Sequence, residues 1–194
     1  MNDRMNPERL WTVPNLLTLS RLPLGALLFA CISQEWWFAG LIVFCIASLT
    51  DWLDGWWARR FNCGTAIGRN LDPLTDKVLI GGAFIFLIPV RGVHIDPWIV
   101  TVIIGRELLI TGLRGIVEAS GKSFGADWFG KLKTVLQCIV LFAALGLKLL
   151  ESQATDEIVL ANFRFAFWAV LATMLVATVG SAVQYGIKAA RILK

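Results

Sequence analysis

Asp51-Trp52-Leu53-Asp54-Gly55-Trp56-Trp57-Ala58-Arg59, then Gly68 after eight further residues, then Asp72-Pro73-Leu74-Thr75-Asp76: this stretch sets four carboxylates in strongly apolar surroundings. An ionised carboxylate at the edge of a bilayer is costly unless something neutralises it. Four converging aspartates with few nearby cations would repel one another, and divalent metal ions are the economical counter-charge. On a helix advancing about 100° per residue, Asp54 lies about −60° from Asp51, Gly55 about +40° and Ala58 about −20°. Two carboxylates and two very small side chains therefore share one face. The carboxylates suit a metal, and the small residues leave room for a bulky ligand against the backbone. Asp72 and Asp76, at i and i+4, repeat the pattern about 40° apart at the start of the next span. Oxygen-only ligands suit Mg²⁺ or Mn²⁺, with substrate phosphates completing the shell. Two such ions can clamp phosphoryl oxygens during an in-line displacement.

Composition places these acids in a membrane protein. Apolar residues make up 57% of the 194 and charged residues only 16%, and the mean hydropathy is +0.68. The expected fold class is all-α: a polytopic membrane protein with six transmembrane helices, forming a single integral membrane domain over 1–194. A length of 194 residues accommodates six spans of about 20 residues each plus loops. The apolar runs predict spans at 15–33, 36–59, 73–90, 97–117, 128–150 and 162–189. Gln34 and Glu35 form the first turn, and Pro97 suits the first turn of the fourth helix. The lead up to Trp11 is polar and lacks a small-residue cleavage site, so it reads as a short juxtamembrane segment rather than a signal peptide. Leu10 and Trp11 of that segment would face lipid, and Trp36-Trp37 and Trp56-Trp57 lie where interface anchors belong. Cys31, Cys45 and Cys138 fall in spans and Cys63 in a loop, a spacing that suggests neither zinc nor disulfides.

Charge asymmetry gives the orientation. Of the eighteen Lys and Arg, only Arg91, Lys148 and Arg164 fall on the side opposite the termini. The positive-inside rule makes the richer side cytoplasmic. Both termini and all four aspartates then face the cytoplasm, in the cell (inner) membrane.

The spacing Asp51-x2-Asp54-Gly55-x2-Ala58-Arg59-x8-Gly68-x3-Asp72-x3-Asp76 resembles, without departure, the signature of the CDP-alcohol phosphotransferases. That resemblance implies a six-helix membrane enzyme with two divalent cations, Mg²⁺ or Mn²⁺, that displaces CMP from a CDP-linked lipid by an acceptor hydroxyl. It also implies that Asp51, Asp54, Asp72 and Asp76 hold the metals and that Asp76 is the catalytic base. Gly55, Ala58 and Arg59 would border the CDP moiety, Gly68 would shape the connecting loop, and the protein would be a homodimer. Thr18 joins the CDP-lipid candidates, and Thr18 and Arg21, early in the first span, would line the nucleotide-lipid site. Thr18 and Arg21 also read as a hydrogen-bonded packing pair. No nucleic-acid partner is expected; membrane lipids are.

Likeness extends to the bacterial phosphatidylglycerophosphate synthase branch of that family, through Pro14-Asn15-Leu16-Leu17-Thr18-Leu19-Ser20-Arg21, Gly105-Arg106-Glu107 running on to Thr111 and Arg114, and Gly130-Lys131-Leu132-Lys133-Thr134. Its substrates would be CDP-diacylglycerol and sn-glycerol 3-phosphate. Arg106 and Arg114 are about 80° apart on one helix and Lys131 begins the next, a cluster able to grip the acceptor's phosphate. It would repel choline or ethanolamine, but would attract inositol phosphate as well as glycerol 3-phosphate. Glu107, nearly on the face of Arg114 at i+7, is a candidate to orient it. Blander readings stand beside these. Asp51 and Asp54 also fit a helix end paired to Arg59 and Arg60, Arg106 a snorkelling residue, and Lys131 and Lys133 a basic flank. Cardiolipin synthase is the neighbouring alternative within the family; a polyprenyl transferase and a proton-relaying transporter are the alternatives outside it.

Overall fold

The computed structural model describes residues 13–61, 66–122, 128–153 and 156–193, with side chains over 19–51, 53, 74–122, 130, 132–153 and 156–192. The juxtamembrane reading of Leu10 and Trp11, and Cys63, lie outside these residues. Six helices follow one another: α1 Val13–Ser33, α2 Trp37–Phe61, α3 Ala66–Leu87, α4 Pro97–Ala119, α5 Trp128–Ser152 and α6 Glu157–Leu193. No strand occurs among the described residues, and α5 and α6 each carry a stretch long and apolar enough to cross a membrane.

Four helices match the expected spans to within about two residues at each end, within the usual scatter of helix boundaries. Two begin earlier. α3 starts at Ala66 rather than Pro73, so Gly68 lies in a helix and not in a connecting loop. Pro73, a natural first-turn residue, is instead eight residues in, preceded by a polar but helix-competent lead. α6 starts at Glu157 rather than near Asn162. The Ile158 N–H donates to Asp156 Oδ1 at 3.0 Å, and Glu157 places an acidic group in the first turn where the helix dipole favours it. At 37 residues, α6 is about 55 Å long, well beyond the roughly 30 Å hydrocarbon core.

Two helix ends close with the same hydrogen-bond pattern but different residues. After α4, the Gly121 N–H donates to Glu118 O and the Lys122 N–H to Val117 O, with Gly121 at φ +75°. After α1, the Glu35 N–H donates to Ile32 O and the Trp36 N–H to Cys31 O, with Glu35 at φ +57°. The left-handed position suits Gly121 and penalises a side chain at Glu35. Replacing Glu35 with Gly should therefore stabilise the protein by about 1 kcal/mol, read as a higher unfolding temperature in detergent. No increase would mean that Glu35 gains compensating contacts.

The chain forms two compact units, 1–86 and 87–194. In the first, α1 packs on α2 and meets α3 through Phe29. The Phe29 ring stacks on Phe86 with centroids 4.9 Å apart. A Cβ on Gly82 would come within 2.2 Å of that ring, so this glycine serves packing between α1 and α3. Trp36 is exposed, but Trp37 is buried in the core and is not an interface anchor. Cys31, Cys45 and Cys138 are not joined in disulfides.

In the second unit, α6 packs against both α5 and α4. Ile110 and Val117 of α4 join Tyr185 and Ala189 of α6 in one apolar cluster. At the α5–α6 connection, Glu151 accepts from Lys148 at 2.7 Å and from Arg164 at 2.8 Å. Lys148 also donates to the Arg91 carbonyl at 2.8 Å. Gly92, at φ +91°, leaves room for the Glu151 carboxylate. Glu151 thus fastens α5, the start of α6 and the α3–α4 connection. Glu151→Gln should cost about 1–2 kcal/mol, because the ammonium of Lys148 is largely buried while Arg164 is half in solvent. Thermal unfolding at low and high salt tests this; an unchanged midpoint would show the clamp to be idle.

Candidate functional site

The acidic motif occupies the C-terminal half of α2 and the first half of α3, both in the first unit. Asp51 and Asp76 are the members of the four whose side chains are described, and they converge. Asp51 Oδ1 lies 2.8 Å, and Asp76 Oδ1 2.6 Å, from the same atom, Arg21 Nη1 on α1. Arg21 is buried, 1% exposed, whereas the Asp51 and Asp76 side chains are 52% and 37% exposed. The guanidinium reaches the acids from beneath and leaves both carboxylates open to solvent.

Arg21 changes the electrostatic account. The expectation of four acids with few cations nearby considered only neighbours in sequence. The Arg21–Asp76 contact joins residues 55 apart, so a cation supplied by α1 already offsets part of the repulsion. Arg21, expected to line the nucleotide-lipid site or to pack, is instead the cation of the acidic pair; its signal was a lone arginine in an apolar run, one turn from Thr18.

The pair fits a divalent metal. Two carboxylate oxygens from different helices gather on a single positive nitrogen, which stands where positive charge is favoured. The donors are oxygen only, as hard cations require. Of the other expected metal ligands, Asp54 is in α2 and Asp72 in α3, their side chains outside those described. The same holds for Gly55, Ala58 and Arg59 in α2, Gly68 in α3, Thr18 in α1 and Lys131 in α5. Trp56 and Trp57 are in the same position.

Of the three basic residues expected to grip the acceptor's phosphate, Arg106 and Arg114 have described side chains. Arg106 is turned inward, 9% exposed, while Arg114, two turns along α4, is exposed. Arg106 Nε and Nη2 donate to Ser181 Oγ of α6 at 3.2 and 3.0 Å. Its Cζ lies 5.6 Å from the centre of the Tyr185 ring, in cation–π range. Glu107 does not orient Arg114. Its Oε1 accepts from buried Lys133 on α5 and lies 3.5 Å from Arg106 Nη1. Residues seven apart on a helix are about 10 Å apart along the axis, so the neighbouring helix reaches Glu107 more easily. Gly130 admits the Tyr185 hydroxyl, which a Cβ there would approach to 3.1 Å.

An acidic helix pair over a buried arginine carries the signature motif, and sequence comparison identifies the class of protein. Residues 11–180 match the CDP-alcohol phosphatidyltransferase family, and the chain belongs to it. The family is membrane-integral and generally dependent on divalent metals, so the six helices are those of a polytopic membrane protein. The chain is 37% identical over 152 residues to the CDP-diacylglycerol–glycerol-3-phosphate 3-phosphatidyltransferase of Bacillus subtilis, covering 70% of this chain and 77% of that one. It is 38% identical over 140 residues to the enzyme of the same name from Escherichia coli, covering 68% and 75%.

Proposed function

We propose that this protein transfers the phosphatidyl group of CDP-diacylglycerol to sn-glycerol 3-phosphate, giving phosphatidylglycerophosphate and CMP. The observation that carries the reading is the meeting of Asp51 and Asp76 over Arg21, within a signature whose relatives bear that enzyme's name. The acceptor's 1-hydroxyl oxygen bonds to the β-phosphorus, the bond from that phosphorus to the CMP oxygen breaks, and CMP leaves. The hydroxyl proton passes to Asp76, the catalytic carboxylate, whose side chain is 37% exposed. Asp51, Asp54, Asp72 and Asp76 hold two divalent cations, Mg²⁺ or Mn²⁺. The chemistry supplied when these are bound is neutralisation of the diphosphate and polarisation of its phosphorus. Thr18, Gly55, Ala58, Arg59 and Gly68 border the CDP-lipid. Arg106, Arg114 and Lys131 take the phosphate of the acceptor; Arg106 is its buried member and Arg114 its exposed one.

Residues 1–194 act as one catalytic domain, a reading supported by a family match that runs through both compact units. The active site and both termini face the cytoplasm in the cell membrane, and the protein is a homodimer. The orientation gains support from the Glu151 clamp. Of the three cations on the opposite side, Lys148 and Arg164 are bound to Glu151, and so serve packing rather than topology.

The deciding experiment is CMP release by detergent-purified protein from CDP-diacylglycerol, with Mg²⁺ or chelator, comparing glycerol 3-phosphate, inositol phosphate, phosphatidylglycerol and no acceptor. Metal-dependent release with glycerol 3-phosphate alone is expected. Release with another acceptor would retain the family and reassign the reaction; no release from folded protein would sink the proposal.

A further inference from the structure

We infer that Ser181 and Tyr185 on α6 are positioning residues that hold the Arg106 guanidinium with one edge presented to the phosphate of the acceptor. The inference rests on the proposed role of Arg106 and deepens it. A guanidinium this deeply buried needs its donors satisfied, and those on one edge are satisfied by a single hydroxyl. Ser181 donates its own proton to the Thr178 carbonyl at 2.8 Å. Its oxygen lone pairs are then turned to Arg106 Nε and Nη2. With Ser181 and Thr178 fully buried, water does not compete for these bonds.

The other sides of the guanidinium differ. The Tyr185 ring covers one face, and this tyrosine is itself 2% exposed. Among the described residues, Nη1 meets the Glu107 carboxylate, at 3.5 Å, and that carboxylate is drawn to Lys133. One carboxylate therefore meets two cations, and among the described residues Arg106 has no anion of its own at hydrogen-bond distance. Ser181 is neutral, so it fixes the guanidinium without cancelling its charge. The Nη1–Nη2 edge is what remains for a phosphomonoester, which pairs well with such a fork. An acidic residue at 181 would fix the arginine equally well and would compete with the substrate.

The test is acceptor-saturation kinetics on full-length protein in detergent, with saturating CDP-diacylglycerol and Mg²⁺, alongside unfolding temperatures. Ser181→Ala should raise KM for glycerol 3-phosphate roughly tenfold, the loss expected for a hydrogen bond to a charged group, with kcat and the KM for CDP-diacylglycerol little changed. Tyr185→Leu should act in the same direction, and Ser181→Thr, which restores a hydroxyl, should recover much of the loss. Arg106→Gln should raise the same KM at least as far. If Arg106→Gln leaves KM unmoved, the phosphate-binding role of Arg106 fails, and the inference with it. If Arg106→Gln raises KM while Ser181→Ala and Tyr185→Leu only lower the unfolding temperature, Arg106 keeps its role and the positioning inference is overturned.

Discussion

Asp76→Asn is expected to lower the rate of CMP release by a factor on the order of 10³, within the range for loss of a general base, while leaving the fold intact. The amide matches the carboxylate in size but neither accepts a proton nor carries the charge that meets Arg21 at 2.6 Å. Asp51→Asn is the informative companion. Asp51 meets the same nitrogen at 2.8 Å and shares the proposed metal role, but is assigned no proton. Raising Mg²⁺ should therefore recover more activity in Asp51→Asn than in Asp76→Asn. Equal recovery would remove the special role of Asp76 and leave it one metal ligand among four. Activity within tenfold of the parent in Asp76→Asn would exclude it as the base altogether.

What was legible in the sequence follows from how local the causes are. Apolar runs reveal that a helix exists, because burial or lipid must cover about 20 residues of apolar side chain, and all six helices were found that way. Their starts were legible where the helix begins with the apolar run itself, as at Pro97 and Trp128. α3 begins in a mixed segment that holds Gly68, Arg69, Asn70 and Asp72, so a reading based on apolarity places it late. α6 begins with Glu157 followed by Ile158-Val159-Leu160-Ala161, an apolar turn that the reading cut off at Asn162. The acids were legible because i, i+3 and i+4 spacings put them on common faces. Their cation was not, because Arg21 comes from another helix, 55 residues from Asp76. The same limit hid the pairing of Glu107 with Lys133 in place of Arg114.

One missed feature did leave a local trace. Thr178, Ser181 and Tyr185 are spaced at i, i+3 and i+7 in a strongly apolar helix, within about 60° of one another on its face. A narrow polar stripe in an apolar helix calls for a buried polar partner on a neighbouring element. Arg106, turned inward from the facing helix, is that partner. Neither half means much alone, since the arginine reads as snorkelling and the stripe as ordinary helix polarity. Together they describe one buried network.

Arg21→Met should cost about 3 kcal/mol of stability in the presence of a chelator, at the low end of the range for removing one partner of a buried pair because both carboxylates are partly solvated. The variant keeps the apolar stem of the side chain, so the loss isolates the charge from the packing. Without the guanidinium, Asp51 and Asp76 lose the nitrogen they share, and the mutual repulsion of the acidic motif is no longer offset from α1. Mg²⁺ should then restore more stability to the variant than to the parent, because a bound cation replaces the lost charge. Thermal unfolding of both proteins across a Mg²⁺ titration checks this. An equal gain in the two would show that the contact is structural and independent of metal. A smaller gain in the variant would show instead that Arg21 helps to build the site that the metal enters.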